Sequence, residues 1–345
     1  MIILNAPINQ LGYGIVSLNI LRELSKITEV CLIPIGQPDV TNKEDAELCK
    51  QALDNRKHSL VKELCIKIWH QHDMKRLTDH KGKMIGFPIF ELDTFTDQEK
   101  EELSSVDSLF VCSRWAELVI KGNNIDVPTT VVSLGVDSNV FKPKGNETGD
   151  KTIFFNCGKW EVRKGHDVLI KVWDKLSQKN DNIELWMMCD NPFNTPQETS
   201  YWESLYDRPN IKLIPRVETQ EEVYNIMSRT DCGVFPSRAE GWNLELLEMM
   251  ACGKRVIATD YSAHTEFCNS DNSYLVEIDG LEPAFDGKWF FGHGNWAEIT
   301  EKQEVQYIKY MQQVIDDKPA DSIPGLETAK RFSWANAAKR ILDYV

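Results

Sequence analysis

The sequence predicts an α/β protein made of two parallel-sheet domains, each with helices on both faces of its sheet. Three observations carry this expectation. Short β-branched or apolar runs alternate with helical patterns along most of the chain, a single polar stretch near the middle interrupts them, and 345 residues suit two ordinary cores better than one.

In the first half the order reads strand Met1 to Asn5, helix Gly14 to Ser25, strand Glu29 to Pro34 and helix Lys43 to Arg56. Strands follow near Cys65 to Trp69, Lys83 to Pro88, Ser108 to Cys112 and Thr129 to Ser133, with helices near Asp97 to Ser105 and Arg114 to Lys121. Strand then helix, repeated, means a parallel sheet covered on both faces, which is why its strands are continuously apolar. The stretch KPKGNETGDK, Lys142 to Lys151, carries Pro, two Gly and many charges without apolar periodicity, as an interdomain linker does. It sets expected domains at 1–145 and 146–330.

The pattern then restarts with strands Thr152 to Asn156, Ile183 to Cys189, Ile211 to Pro215, Cys232 to Phe235 and Arg255 to Thr259. Helices His166 to Gln178, Gln220 to Ser228 and Leu244 to Cys252 fall between them, giving a second Rossmann-like domain. Asn191 to Arg208 has few apolar anchors and reads as an exposed insertion. From Glu304 onward the pattern is helical, with Trp334, Ala335, Ala338 and Ile341 assigned to one face. Residues 331–345 are expected to form a helix crossing back to the N-terminal domain.

Composition narrows the function classes. The chain has 42% hydrophobic and 27% charged residues, ordinary values for a folded water-soluble protein. Apolar runs such as Met1 to Leu4 are too short to cross a bilayer, and no basic segment leads into an apolar one, so neither a membrane span nor a signal peptide is expected. The 9 cysteines are odd in number and lack a C-x-x-C pair, which points to reduced core residues and a cytoplasmic protein. A net charge of −14 disfavours non-specific binding to a polyanion. An anionic ligand would have to be met by a few local lysines and by helix N-termini.

The most informative stretch is Pro236 to Gly253, PSRAEGWNLELLEMMACG, which follows an apolar strand and runs into a helix. In doubly wound sheets ligands sit beyond the carboxyl ends of strands, where a helix N-terminus offers unpaired N–H groups to a phosphate. Gly241 and Asn243 suit close approach of backbone to ligand. Glu240 in the loop and Glu248 about two turns inside the helix bracket a ligand-sized space. Carboxylates there accept hydrogen bonds from sugar hydroxyls and a ribose diol. Glu245, on another helix face, is expected to be solvated, and Trp242 either stacks on a ligand or packs in the core. Between the preceding strand and helix, CGKWEVRKG places Lys159, Arg163 and Lys164 where a phosphate would lie.

The longer run PSRAEGWNLELLEMMACGKRVIATDYSAHTEF resembles the Glu-x7-Glu segment of retaining GT-B glycosyltransferases, glycosyltransferase family 4 (glycosyl transferases group 1). The resemblance implies a GT-B architecture, two Rossmann-like domains facing each other across a cleft. It implies transfer of a hexosyl or pentosyl group from a nucleoside diphosphate sugar with retained anomeric configuration. By position Glu240 contacts the transferred sugar, the backbone amides of Asn243 and Leu244 approach the distal phosphate and sugar, and Glu248 holds the ribose. Lys164 and Lys159 meet the diphosphate, with Arg163 beside them. Lys159 stands where family members typically have Arg, keeping the charge and losing the planar fork.

In the first half, NQLGYG resembles the family's glycine-rich first loop, with Gly12 and Gly14 admitting phosphates and acceptor. GFPIFELDTF, FVCSRWAELVI and SLGVDSNVFKP extend the resemblance. Phe90 and Glu91 stand where members commonly carry a His, which makes Glu91 the polar group expected to face the cleft. The catalytic set is therefore Glu240, Lys164, Lys159 and Glu91. The donor-binding set is Gly12, Gly14, Lys159, Arg163, Lys164, Glu240, Gly241, Trp242, Asn243, Leu244 and Glu248.

No metal or other cofactor is expected: His70 and His72 in WHQHD lack further spaced ligands, and no Asp-x-Asp motif stands out. The acceptor stays open among glycan, lipid, protein and modified nucleic acid, and oligomeric state is not read. Two other classes compete. A nicotinamide-dependent oxidoreductase would need a G-x-G-x-x-G fingerprint that the first loop lacks. A nucleotide-sugar-binding module without transferase activity would share the donor residues.

Overall fold

The computed structural model describes residues 1–57, 62–78, 80–144, 149–318 and 321–345. The chain divides into two compact units, one of residues 1–135 with 332–345 and one of residues 136–331. The division falls upstream of the polar stretch, and the boundary expected at 145/146 lies outside the described residues.

The first unit runs β1 (Ile2–Ala6), α1 (Gly12–Ser25), β2 (Val30–Pro34), α2 (Lys43–Asp54), β3 (Leu64–Trp69) and β4 (Met84–Pro88). It continues through α3 (Asp97–Ser104), β5 (Ser108–Val111), α4 (Arg114–Gly122) and β6 (Thr129–Val131). The six strands are all parallel in the order β2-β1-β3-β4-β5-β6. Every residue of β1 and β4 is buried, as a sheet covered on both faces requires. Helix starts follow local chemistry. Thr96 and Glu99 form a reciprocal capping box at α3, and the Ser113 hydroxyl accepts from the Ala116 amide at α4. The strand order reverses between β1 and β3, so the loops leaving these two strands part there and open a crevice.

The second unit runs β7 (Thr152–Gly158), α5 (His166–Ser177), β8 (Ile183–Cys189), α6 (Pro196–Leu205), β9 (Ile211–Leu213) and α7 (Gln220–Met227). Then come β10 (Cys232–Phe235), α8 (Leu244–Ala251), β11 (Arg255–Thr259), α9 (His264–Phe267) and β12 (Tyr274–Val276). A hairpin of β13 (Leu281–Phe285) and β14 (Phe291–Ala297) precedes α10 (Glu301–Asp317) and α11 (Ile323–Arg331). The main sheet is parallel throughout, ordered β12-β11-β10-β7-β8-β9, and its order reverses between β7 and β10.

The segment read as an exposed insertion contains α6 and contributes to the core. The Trp202 and Trp160 rings stack 5.8 Å apart at 6°, and the buried Tyr206 hydroxyl donates to the His166 carbonyl at 2.6 Å. Its scattered aromatics carry no helical period, so the sequence hid this wall of the core. The β13–β14 hairpin and β12 were also missed, because glycines and exposed aromatics break the alternation there.

The last helix, α12 (Trp334–Tyr344), groups with the first unit and packs on α1. Its Tyr344 ring lies 5.2 Å from Phe110, and Arg340 donates to the Val131 carbonyl at 3.2 Å. The buried face is Trp334, Ala337, Ala338 and Ile341, spacing i, i+3, i+4, i+7, whereas Ala335 points to solvent. Ala335 was therefore misassigned by one helical step.

All nine cysteines are free thiols. Burial pushes Cys65 and Cys252 up to about 12, so both act as core filling and not as reactive groups. Among the described residues no helix is long and apolar enough to cross a membrane.

Gly165 caps α5 with φ 74°, and a Cβ there would lie 2.0 Å from the Pro236 carbonyl oxygen. Both the left-handed backbone and the collision penalise a side chain. Gly165→Ala is expected to destabilise the second unit by roughly 2–4 kcal/mol, read as a lowered midpoint in chemical denaturation.

Candidate functional site

At the reversal of the second sheet, two loops leave the carboxyl ends of β7 and β10 side by side. Backbone and side chain bonds join them. The Arg238 amide donates to the Arg163 carbonyl at 2.7 Å, and the Arg238 guanidinium donates to the Val162 carbonyl at 2.6 Å and to both Asp167 oxygens at 2.8 Å. Gly165 packs directly on Pro236, so the loops behave as one structure.

At the centre lies the carboxylate of Glu240, 4% exposed. Its Oε1 accepts from the Ser237 hydroxyl at 2.7 Å and pairs with Lys164 Nζ at 3.0 Å, while Oε2 accepts from Arg163 at 2.9 Å. Burial alone would raise this carboxyl. The Lys164 and Arg163 charges outweigh it and hold Glu240 well below the usual carboxylate range. The same pairing holds Lys164 charged, above its ordinary value, although burial works against it. The nitrogen that bonds Glu240 also donates to the Ala239 carbonyl at 2.8 Å, and the second terminal nitrogen of Arg163 donates to the buried Glu161 at 2.8 Å. Glu161 also pairs with Lys159 at 2.8 Å. Burial of Glu161 opposes its charge, and Arg163 and Lys159 together keep it ionised.

Donor capacity remains in this network. An ammonium carries three N–H bonds and a carboxylate about four acceptor directions. One Lys164 proton serves Glu240, and Glu245 stands at 3.9 Å, beyond a good hydrogen bond. Lys159 is half exposed and bonded to Glu161. Glu240 Oε2 keeps one acceptor direction outside these bonds. Glu245 is thus part of the electrostatic rim around Lys164, not the solvated residue its helix face suggested.

The helix α8 begins in this cluster. Its N-cap, Asn243, has φ 81°, and the side chain oxygen accepts from the Leu246 amide at 3.2 Å. The first-turn amides of Leu244 and Glu245 have no partner within the helix, so they present donors and the positive dipole end outward. One further loop completes the frame: the Glu240 amide donates to the Ser262 hydroxyl at 2.8 Å, and the Ala263 amide donates to the Glu240 carbonyl at 3.2 Å. About one turn into α8, nearer the helix start than the two turns expected from the sequence, Glu248 is buried, and among the described residues no cation pairs with its carboxylate. Burial, reinforced by the neighbouring Glu245 charge, pushes it up to about 8.

Lys159, Arg163, Lys164, Glu240, Gly241, Trp242, Asn243, Leu244 and Glu248 therefore all belong to the ends of β7 and β10 and the start of α8. Trp242 serves packing, 3% exposed and with its ring 4.9 Å from Phe267. Glu161, Ser237, Ser262 and His264 were missed. The alternating signs of Lys159, Glu161 and Arg163 were a usable signal for the first. Ser237 lies three residues before Glu240 in the same loop, whereas Ser262 and His264 bond across 21 to 22 positions and carry no local signal.

Gly12, Gly14 and Glu91 belong to the first unit. A Cβ on Gly12 would meet open space, whereas one on Gly14 would lie 2.3 Å from the Asn9 backbone, so Gly14 is demanded by its own loop. Glu91 is half-buried and follows the buried Phe90 after β4. Tyr13 joins three strand ends, donating to the Ile89 carbonyl and lying 3.2 Å from His70 Nδ1. The His70 and His72 rings stack 4.9 Å apart, and among the described residues no group of three His, Cys, Asp or Glu side chains is placed to hold a metal ion.

Comparison with known proteins places this geometry in context. Residues 150–285 match the family model described as Glycosyl transferases group 1. The lipopolysaccharide core biosynthesis mannosyltransferase LpsB of Rhizobium meliloti (strain 1021) is 27% identical over 178 residues, 47% of this chain and 50% of that protein. An uncharacterized glycosyltransferase of Methanocaldococcus jannaschii is 25% identical over 209 residues, 56% of this chain and 48% of that one. The chain spans about half the length of the curated relatives it matches. Among solved structures, a glycosyltransferase from Rickettsia africae ESF-5 superimposes with TM-score 0.70 at 15% identity, covering 99% of this chain and 97% of its own. Anabaena Alr3699/HepE, solved in complex with UDP and glucose, gives 0.69 at 13% identity, covering 99% and 98%. These likenesses show the fold, two Rossmann-like units of GT-B architecture.

Glu248 yields a pH prediction. Its folded value of about 8 exceeds the ordinary glutamate value of 4.5, so the native state binds the extra proton over that window. Stability contributed by the neutral carboxyl is complete below about 4.5 and is lost as pH rises to about 8. Glu248→Gln is therefore expected to raise the thermal midpoint relative to the parent at pH 8 and to change it little at pH 4.5. The gain is on the order of a few kcal/mol, measured by scanning calorimetry at both pH values.

Proposed function

We propose that the chain is a glycosyltransferase that takes a glycosyl group from a nucleoside diphosphate sugar and passes it to an acceptor hydroxyl with retained configuration. The observation that carries this reading is the buried Lys164–Glu240–Arg163 cluster beside the open first turn of α8, at the reversal point of a dinucleotide-type sheet. The match of residues 150–285 to the group 1 model supports it, as does the UDP and glucose bound by a protein of the same fold.

In this reading Lys164, Lys159 and the Leu244 and Glu245 amides meet the diphosphate. The remaining acceptor direction of Glu240 takes a sugar hydroxyl, and Glu248 takes the ribose diol. As the bond from the anomeric carbon to the phosphate oxygen breaks, that oxygen gains charge. The acceptor oxygen bonds to the same face of the anomeric carbon and gives its proton to the departing phosphate oxygen. The fixed ammonium and amide donors stabilise that phosphate most when its charge is greatest, so positioning and electrostatics supply the catalysis. No side-chain nucleophile is needed.

Thermal shift against UDP-, GDP-, ADP- and dTDP-sugars tests the reading. At about 100 times the dissociation constant one donor is expected to add ~2.7 kcal/mol, a rise of roughly 5–10 °C. Lys164→Met is expected to weaken that donor about 10- to 100-fold, the worth of a charge-assisted hydrogen bond. If no donor stabilises the protein, or if Lys164→Met binds as well as the parent, the reading fails. Binding without transfer or donor hydrolysis would make the chain a sugar-nucleotide-binding module.

A further inference from the structure

The cap of α8 is an unusual piece of backbone. Asn243 is one of four non-glycine residues with positive φ among the described residues, and Ser262, another of the four, also borders the Glu240 loop. A left-handed conformation costs an L-residue roughly 1–2 kcal/mol, less for Asn, and persists where surrounding bonds fix it. At Asn243 those bonds can be traced one by one.

The Leu246 amide has only a proton to offer, so the atom facing it must be the side-chain oxygen of Asn243, at 3.2 Å. The amide nitrogen Nδ2 then faces His264 Nε2 at 2.9 Å, and this ring nitrogen must be the acceptor. The proton of the neutral ring therefore sits on Nδ1, which donates to the Thr259 carbonyl at 2.9 Å. Thr259 is the last residue of β11 and is wholly buried, as is His264 at 1% exposure. A continuous chain thus runs from the end of β11 through the imidazole to the side chain of Asn243 and the Leu246 amide.

We propose that His264, in its Nδ1–H form, is a positioning residue: it holds the Asn243 cap and thereby aims the first-turn amides of α8 at the diphosphate. This rests on the glycosyltransferase reading for its ligand and on the hydrogen bonds alone for its mechanics. A charged imidazole cannot play the part, because Nε2–H would face the Nδ2 hydrogens. The groups acting on the ring are consistent with neutrality. Burial disfavours the cation most, the Glu240 carboxylate favours it, and the Lys164 and Arg163 charges oppose it, leaving His264 below its ordinary value. The role differs from core packing, because it depends on one acceptor atom at one place on the ring.

Amide side chains separate the two. In His264→Gln the oxygen reaches the place of Nε2 and can accept from Asn243. In His264→Asn the shorter amide reaches only the place of Nδ1 and the Asn243 bond is lost. Two readouts apply to the full chain: hydrogen exchange of the Leu246 amide, which needs no ligand, and UDP affinity by calorimetry. His264→Asn is expected to speed the exchange and weaken UDP about tenfold each, the worth of one buried hydrogen bond, with His264→Gln restoring most of both. In an Asn243→Gly background, where glycine takes the left-handed backbone unaided, replacing His264 should add no further loss. Equal losses in both backgrounds, or unchanged exchange in His264→Asn, would overturn the proposal. Failure of the parent to bind UDP or any other nucleoside diphosphate would instead defeat the glycosyltransferase reading, and the exchange measurement would still decide the coupling of His264 to Asn243.

Discussion

The buried carboxylate of Glu240 is the interaction on which the second unit's functional end depends. Removing a carboxylate from water is costly, and the cost is offset only while Lys164, Arg163 and Ser237 all bond to it. Lys164 and Arg163 come from the loop after β7, whereas Glu240 and Ser237 come from the loop after β10. The ionic cluster therefore joins two segments distant in sequence and sets the position of the helix that follows. Loss of any member would strand a buried charge, which elsewhere costs about 3–5 kcal/mol.

This arrangement explains why charge is plentiful at the site while so little of it is exposed. Glu161 and Arg163 are as buried as Glu240 and act as the frame, holding the two lysines apart in known positions. Lys159 and Lys164 retain ammonium protons beyond those the frame uses. The strongly negative chain thus carries a local set of cationic donors that its overall charge of −14 conceals.

The two sheets reach similar ends by different strand orders. In the first unit the reversal lies between β1 and β3, and Tyr13 ties the loops there to the end of β4 through the Ile89 carbonyl. In the second it lies between β7 and β10, where arginines and carboxylates do the tying. One crevice is bordered by aromatic and imidazole groups, the other by paired charges. That difference in chemistry is decided by side chains on loops, since the sheets beneath are equally apolar.

How much of this was legible depends on the range of the interaction. The amino-acid order by itself determined the parallel sheets, because a strand buried on both faces must be apolar throughout and a helix must show a turn-length period. It also marked Lys164, Glu240 and Glu248, since a glycine-bearing loop between an apolar strand and a helix is a local pattern. It erred at Ala335 and at the Trp202 and Tyr206 wall, where local period gives no register. Only the tertiary structure decided that Arg163 clamps Glu240, that Glu245 stands at the rim of Lys164, and that Trp242 is core. It alone joined His264 to Asn243. The hydrogen bonds among these, Arg163 to Glu240 and Asn243 to His264, join residues 77 and 21 positions apart and act over about 3 Å of space, so chain order carries no trace of them until the sheet brings the loops together.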